Sequence, residues 1–269
     1  MKIKEVFILF CLFLPACTTN NTYNYNNKST SNLFASAMLP TVKVNNNSGA
    51  GVVIKIVKGE LKDKVYILTA AHVLTQLKTV EERIGFPPPK MLPTTQPAKT
   101  SIMPNEPLSL DEKDFIILTI TKRVDLDEPN VEFYVYNNEK VIEKVRAKGK
   151  VLKRNKKIDL ALVVVETRPN LATVSRIAKV HPKIGDTLYA VGAGGILKGT
   201  PVLTKGKHGG FADGKSKEVT VGIYTGGTFF GDSGGPVYND SFELVGIILA
   251  VQAPAWHTGL YLNIINFNF

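Results

Sequence analysis

Beyond residue 17 the chain contains no cysteine: of its 269 residues only Cys11 and Cys17 carry a thiol. The body of the protein therefore has neither an internal disulfide framework nor a thiolate zinc cluster. The apolar run from Val6 to Ala16 counts eleven residues, too few for a membrane span, which needs roughly 20. Helical periodicity is also missing, which argues against α/β architectures. Acidic residues are in deficit, 23 against 33 basic, for a net charge of +10, and such a balance favours anionic surroundings. With 44% hydrophobic residues, a chain of this length can bury roughly 70% of its unfolded surface. It reads as one or two globular domains stabilised by packing.

The N-terminus places Lys2 and Lys4 before the apolar run and a small residue, Ala16, before Cys17, the pattern of a cleaved export signal. Leu14-Pro15-Ala16-Cys17 resembles the bacterial lipoprotein box, with Pro15 the departure from it. That resemblance implies a signal peptide over 1–16 and lipidation of Cys17, tethering the mature chain to a membrane without spanning it. Plain secretion and an uncleaved buried segment are the other readings. From Thr18 to about Ser36 the residues are mainly Thr, Asn, Ser, Tyr and Lys, too polar to offset the entropy of ordering. Residues 17–36 thus read as the anchor site and a flexible spacer.

Short segments rich in Val and Ile follow, bounded by Gly, Asn, Asp or Pro and too short for helices. One group comprises Thr41–Val44, Gly51–Val57, Val65–Ala70, Phe115–Thr121, Val131–Tyr136, Val141–Leu152 and Ile158–Glu166. A second comprises Thr187–Gly192, Thr200–Lys205, Glu218–Tyr224, Gly235–Tyr238, Leu244–Val251 and Gly259–Ile265. The chain is predicted all-β, with two barrels or sandwiches divided at about 37–170 and 171–269. Seven of the fifteen prolines lie between Pro87 and Pro107, so residues of about 79–112 read as a long inserted loop. The basic stretch Lys140–Lys157 alternates with Val141, Val145 and Val151 as the outward face of a strand does. An anionic-lipid or acidic-substrate patch is the rival reading, and no nucleic-acid motif is present.

Two segments carry chemistry. Gly231-Asp232-Ser233-Gly234-Gly235-Pro236 offers a serine on a turn that glycines permit, with backbone N–H groups available to an oxyanion. Leu68-Thr69-Ala70-Ala71-His72-Val73 puts an imidazole just beyond an apolar strand. These segments, in this order, resemble the two signatures of the chymotrypsin-like (trypsin-like) serine peptidases. Ser48–Val53 resembles the strand entering the first barrel, and Lys157–Leu162 the segment bearing the catalytic acid. Leu244–Ile247 and Gly259–Leu262 resemble the closing strands of the second barrel. Without cysteines the chain is most similar to the bacterial exported branch, DegP-like peptidases included.

The resemblance implies two six-stranded antiparallel barrels with the active site at their interface. It also implies peptide hydrolysis by Ser233, His72 and Asp159 through an acyl-enzyme, without metal or cofactor. Asp114, which also precedes an apolar run, is the alternative acid. The oxyanion hole maps to the N–H groups of Gly231 and Ser233. In the family Asp232 pairs with a freed N-terminus; no activation site is evident here, so Asp232 is expected to serve the turn. The primary pocket maps to Gly226, Gly227 and Thr228 on one wall and Leu249, Ala250 and Val251 on the other. With no acidic residue at its base, it should take small or medium apolar side chains, although Leu249 and Val251 could simply be core. His181, His208 and His257 lack a comparable setting, and His208, in a glycine-rich stretch, is expected at the surface. Protein or peptide is the expected substrate and no nucleic acid is expected. A monomer is expected because no module follows the last strand. The location expected is the cell envelope, at the inner or outer membrane. Two alternatives stand beside this reading: a peptidase-like scaffold that has lost turnover, and an esterase, which the missing helical periodicity disfavours.

Overall fold

A computed structural model describes residues 34–45, 49–85, 115–137, 139–193, 200–213, 220–251, 258–265 and 267. Six strands close the first barrel: β1 (Thr41–Val44), β2 (Gly49–Val57), β3 (Asp63–Ala70), β6 (Asn130–Asn137), β7 (Lys140–Asn155) and β8 (Leu160–Thr167). Their order is β1-β2-β3-β8-β7-β6, and β1 returns to β6 through Lys43↔Glu132 and Val44↔Val131. The second barrel has the order β10-β11-β14-β13-β12-β9. Its strands are β9 (Thr187–Gly192), β10 (Val202–Asp213), β11 (Thr220–Tyr224), β12 (Pro236–Tyr238), β13 (Leu244–Val251) and β14 (Gly259–Asn263). All pairings between these strands are antiparallel. The two six-stranded antiparallel barrels are those expected.

Alternation of inward and outward residues builds each barrel, and bulges bend the strands so that they close. Register shifts occur at Val53/Lys55, Val151/Lys153 and Ile248/Ala250. One core fills the first barrel with Val44, Val65, Ile67, Phe133 and Val163, and another fills the second with Leu188, Tyr224, Val237 and Tyr261. A third joins them: Val52, Leu68 and Leu160 of the first barrel pack with Val191, Leu244, Ile247 and Leu262 of the second. Each such side chain contributes about 1.5–3 kcal/mol on burial, so the seam between the barrels is a true core. The linker between them is pinned across it, with the Ser175 amide donating to Val53 O at 2.8 Å.

The inserted region differs from expectation. The helical turn Ala71–Leu74 runs directly into β4 (Thr75–Gly85), which pairs along its whole length with β5 (Phe115–Asp125) as a separate two-stranded arm. Phe115–Thr121 is thus no barrel strand, and Thr75–Gly85 is a strand the sequence conceals. With Lys78, Glu81, Glu82 and Arg83 it lacks the apolar alternation by which a half-buried strand is recognised. The proline-rich segment 86–114 and Asp114 lie outside the described residues, as do 1–33, Cys17 among them.

Candidate active site

The strand β3 delivers its last residues to the seam. Thr69, fully buried, donates from Oγ1 to Ala50 O at 2.7 Å and ties the end of β3 to β2. The helical turn that follows presents His72. Across from it, the turn between β7 and β8 ends in Asp159, at φ +56°, a left-handed conformation that aspartate tolerates better than most residues. That twist aims the carboxylate back at the histidine turn. Asp159 Oδ2 lies 2.7 Å from His72 Nδ1, and Oδ1 accepts the His72 backbone amide at 2.9 Å. Asp159 O accepts the Ala71 amide at 3.1 Å. With Nδ1 so engaged, Nε2 is left to face a reacting group. The two side chains are 41% and 31% exposed, so the pair is open to solvent.

The carbonyls of His72, Val73 and Leu74 in the histidine turn are each occupied. Thr75 Oγ1 donates to His72 O at 2.8 Å. Asn45 Nδ2 donates to both Val73 O and Thr75 O at 3.0 Å, and Leu74 O accepts the Leu126 amide at 2.9 Å. Asn45 and Arg154, which reaches the same turn, are site-supporting residues that the sequence does not announce, because nothing local distinguishes them from other surface polar residues.

Ser233 approaches from the second barrel. Its carbonyl accepts the Ala50 amide at 2.8 Å, and the Gly234 amide donates to Ile248 O at 2.7 Å. Gly234 has φ +83°, and a Cβ there would strike Ala50 O, Thr69 Oγ1 and Ala70 N. Gly49 likewise fits between Val73 and Ser233 O with no room for a methyl group. Backbone contact this close brings the serine turn against the strand end that carries His72. The Ser233 hydroxyl donates to Leu249 O at 3.4 Å, and among the described residues no hydrogen bond joins it to His72.

The turn before the serine has a definite form. The Asp232 amide donates to Phe229 O at 3.1 Å and Gly231, at the third position, has φ +94°, the combination of a type II turn. Asp232 Oδ2 accepts the Phe229 amide at 2.7 Å, so Asp232 supports the turn as expected. Among the described residues no acceptor takes the Gly231 or Ser233 amide hydrogen.

The expected pocket residues converge in part. Thr228 is fully buried against Gly259, its Oγ1 without a hydrogen-bond partner among the described residues. Gly226 lies against the Tyr224 ring, whose phenol burial pushes up to about 12. Val251 pairs with Gly259 and Ala250 with Leu260, while a Cβ added at Gly227 would meet the Phe229 ring at 3.7 Å. Leu249 packs partly into the first-barrel core and the seam, so it is as much core as wall.

The remaining histidines divide. His208 is buried rather than at the surface: its glycine-rich stretch is strand β10, and Nδ1 lies 3.1 Å from the Tyr261 hydroxyl. Gly206 leaves room there for the Tyr224 ring and Gly209 for Ile223, so these glycines serve packing within the strand. His181 Nδ1 lies 2.8 Å from Asn263 Nδ2, and His257 lies outside the described residues.

Known structures share this architecture. The MamO protease domain from Magnetospirillum magneticum, in its apo form, superposes with a TM-score of 0.51 at 15% identity, covering 86% of this chain and 94% of that one. Deg5 superposes with a TM-score of 0.52 at 16% identity, covering 89% and 90%. At such identities the likeness is one of fold. Among curated proteins a sequence search found no match. The family model described as trypsin-like peptidase domain aligns with residues 49–247, a span that takes in both signature segments and parts of both barrels. The chain belongs to the trypsin-like peptidase domain family.

Proposed function

We propose that the protein is a serine endopeptidase that cleaves peptide bonds through a Ser233–His72–Asp159 acyl-enzyme mechanism. The observation that carries this reading is the Asp159 carboxylate 2.7 Å from His72 Nδ1 with its second oxygen on the His72 amide. That grip selects the tautomer with a free, basic Nε2. His72 would take the Ser233 proton as the hydroxyl attacks the scissile carbonyl, then return it to the leaving amine. Asp159 would steady the imidazolium, and the Gly231 and Ser233 amides would bind the oxyanion. The type II turn supports this last role, since a type I turn would reverse the Phe230–Gly231 peptide and present a carbonyl instead.

A catalytically silent, peptidase-like scaffold is the competing reading, and one observation favours it: the serine hydroxyl bonds Leu249 O. One χ1 rotation between staggered wells re-aims that hydroxyl, and catalytic hydrogen bonds commonly tighten only with substrate bound. The peptidase reading predicts that a fluorophosphonate labels Ser233 and that Ser233→Ala abolishes the label. Absence of label on the folded wild-type protein would establish the scaffold.

In the same reading the mature chain begins at a lipidated Cys17, and residues 17–36 hold the catalytic domain clear of an envelope membrane. Cys17→Ser should then move the protein from the membrane to the soluble fraction. The pocket is read as neutral, taking small or medium apolar side chains. Cleavage profiling of a peptide library, with Ser233→Ala as control, tests that preference.

A further inference from the structure

We propose that Arg154 is a positioning residue for the His72–Asp159 pair: it locks the root of the β4–β5 arm to the histidine turn and to the strand that leads into Asp159, so that the seating of the arm sets the geometry of the pair. This rests on the proposed roles of His72 and Asp159.

The arm leaves the barrel at Thr75, directly after the turn that presents His72, and returns at Asp125. The described side chains nearest its root are largely exposed, Leu77 at 69%, so the ribbon has little barrel surface to steady it there. Whatever torque the arm feels is delivered to residues 71–75. The guanidinium of Arg154 sits at that hinge. One terminal nitrogen, Nη2, donates to Leu126 O at 2.8 Å and Leu74 O at 3.4 Å, while Nη1 pairs with Asp125 at 2.8 Å. Asp127 lies 3.8 Å away, and Lys156 reaches the same Asp125 oxygen at 2.8 Å.

Arg154 itself belongs to the end of β7. Asn155 follows, its Oδ1 capping the amides of Lys157 and Ile158 at 3.0 and 3.4 Å, and the turn then closes at Asp159. One side chain therefore touches the strand into the acid, the carbonyl two residues beyond the histidine, and the returning end of the arm. It is only 11% exposed, and its Nε is buried with no partner among the described residues, a desolvation cost that these acceptors offset. A planar fork can serve two carbonyls and a carboxylate at once, whereas an ammonium on a flexible stem cannot hold all three in fixed directions.

The test compares the wild-type chain with Arg154→Met, Arg154→Lys and Asp125→Asn. Two quantities are read: the second-order rate of fluorophosphonate labelling and the NMR position of the His72 Nδ1–H proton held by Asp159. A loosened histidine turn parts His72 from Asp159, so labelling should slow by about ten- to a hundred-fold in Arg154→Met. The Nδ1–H proton, deprived of its carboxylate acceptor, should lose its low-field NMR position. Arg154→Lys should recover part of both effects, and Asp125→Asn, which keeps the carbonyl bonds, should show the smallest change. If Arg154→Met does not fold, the other two variants carry the same comparison. A lower melting temperature with both readouts unmoved would make the contact purely structural and overturn the proposal. Failure of the wild type to label would instead sink the peptidase reading, and the His72 Nδ1–H resonance would still decide the role of Arg154.

Discussion

Asp159 combines two demands in one residue. Its left-handed backbone sends its carbonyl to Ala71 and both carboxylate oxygens to His72. Asparagine can keep the backbone and one oxygen but presents an N–H where Nδ1–H needs an acceptor. Asp159→Asn is therefore expected to fold normally and lose about 10⁴-fold in peptidase rate, measured on the purified domain. His72→Ala should lose about 10⁴- to 10⁶-fold, and near-wild-type turnover in that variant would remove His72 from the mechanism.

His208 makes a second prediction at this scale, one of stability. Burial holds its imidazole below the usual histidine range, with the charge of Asp186 opposing more weakly. The unfolded chain takes up the proton near the ordinary value of about 6.5, before the folded state does. Stability should then be full above that value and be lost as pH falls from about 7 towards 5. In melts followed by circular dichroism across that window, His208→Phe should start less stable yet lose less. Asp63, held low by its bond to Lys58, acts in a separate window: its stabilisation is lost only as pH falls below about 4.

Among the elements, the turn Phe229–Asp232 decides whether an oxyanion hole exists. Gly231 at φ +94° can be held there by glycine at no steric cost, whereas alanine would pay about 1–3 kcal/mol or turn the Phe230–Gly231 peptide over. The flip removes the Gly231 donor and relieves the strain, so Gly231→Ala should lower kcat by about 10²–10³-fold with little change in the melting temperature. Unchanged kcat would place the oxyanion donors elsewhere. Legibility also varied by element. Thr41–Val44, Thr187–Gly192 and Leu244–Val251 carry boundaries that match the strands, since each alternates or is bounded by turn residues. The arm escaped because its strands pair only with each other, and β10 outran its expected end at Lys205 because glycine there serves packing rather than a loop.

For the whole molecule, the seam between the barrels both stabilises the fold and assembles the site. Tyr238 stands in it, accepting from Ser175 Oγ at 3.2 Å and donating to Ala37 O at 3.4 Å. It thereby joins the second barrel, the linker and the segment entering the first. Burial pushes its phenol well above the ordinary tyrosine value, so it stays a neutral donor throughout the working pH range. Tyr238→Phe keeps the ring but leaves the Ser175 hydroxyl without its acceptor, while Ala37 O retains Thr41 Oγ1 at 2.9 Å, and should cost about 1–3 kcal/mol in urea unfolding with the m-value unchanged.

Local chemistry alone determined much of this protein: β-branched segments between turn residues dictated an all-β chain, and short motifs around His72 and Ser233 marked where reactive groups belong. Tertiary structure decided what those motifs meet. The meeting of Asp159 with His72, 87 residues apart, the arm beside the histidine turn, the Arg154 contact and the burial of His208 all depend on pairings between distant strands. Such pairings are set by the sum of packing over both barrels, and no single window of sequence contains that sum.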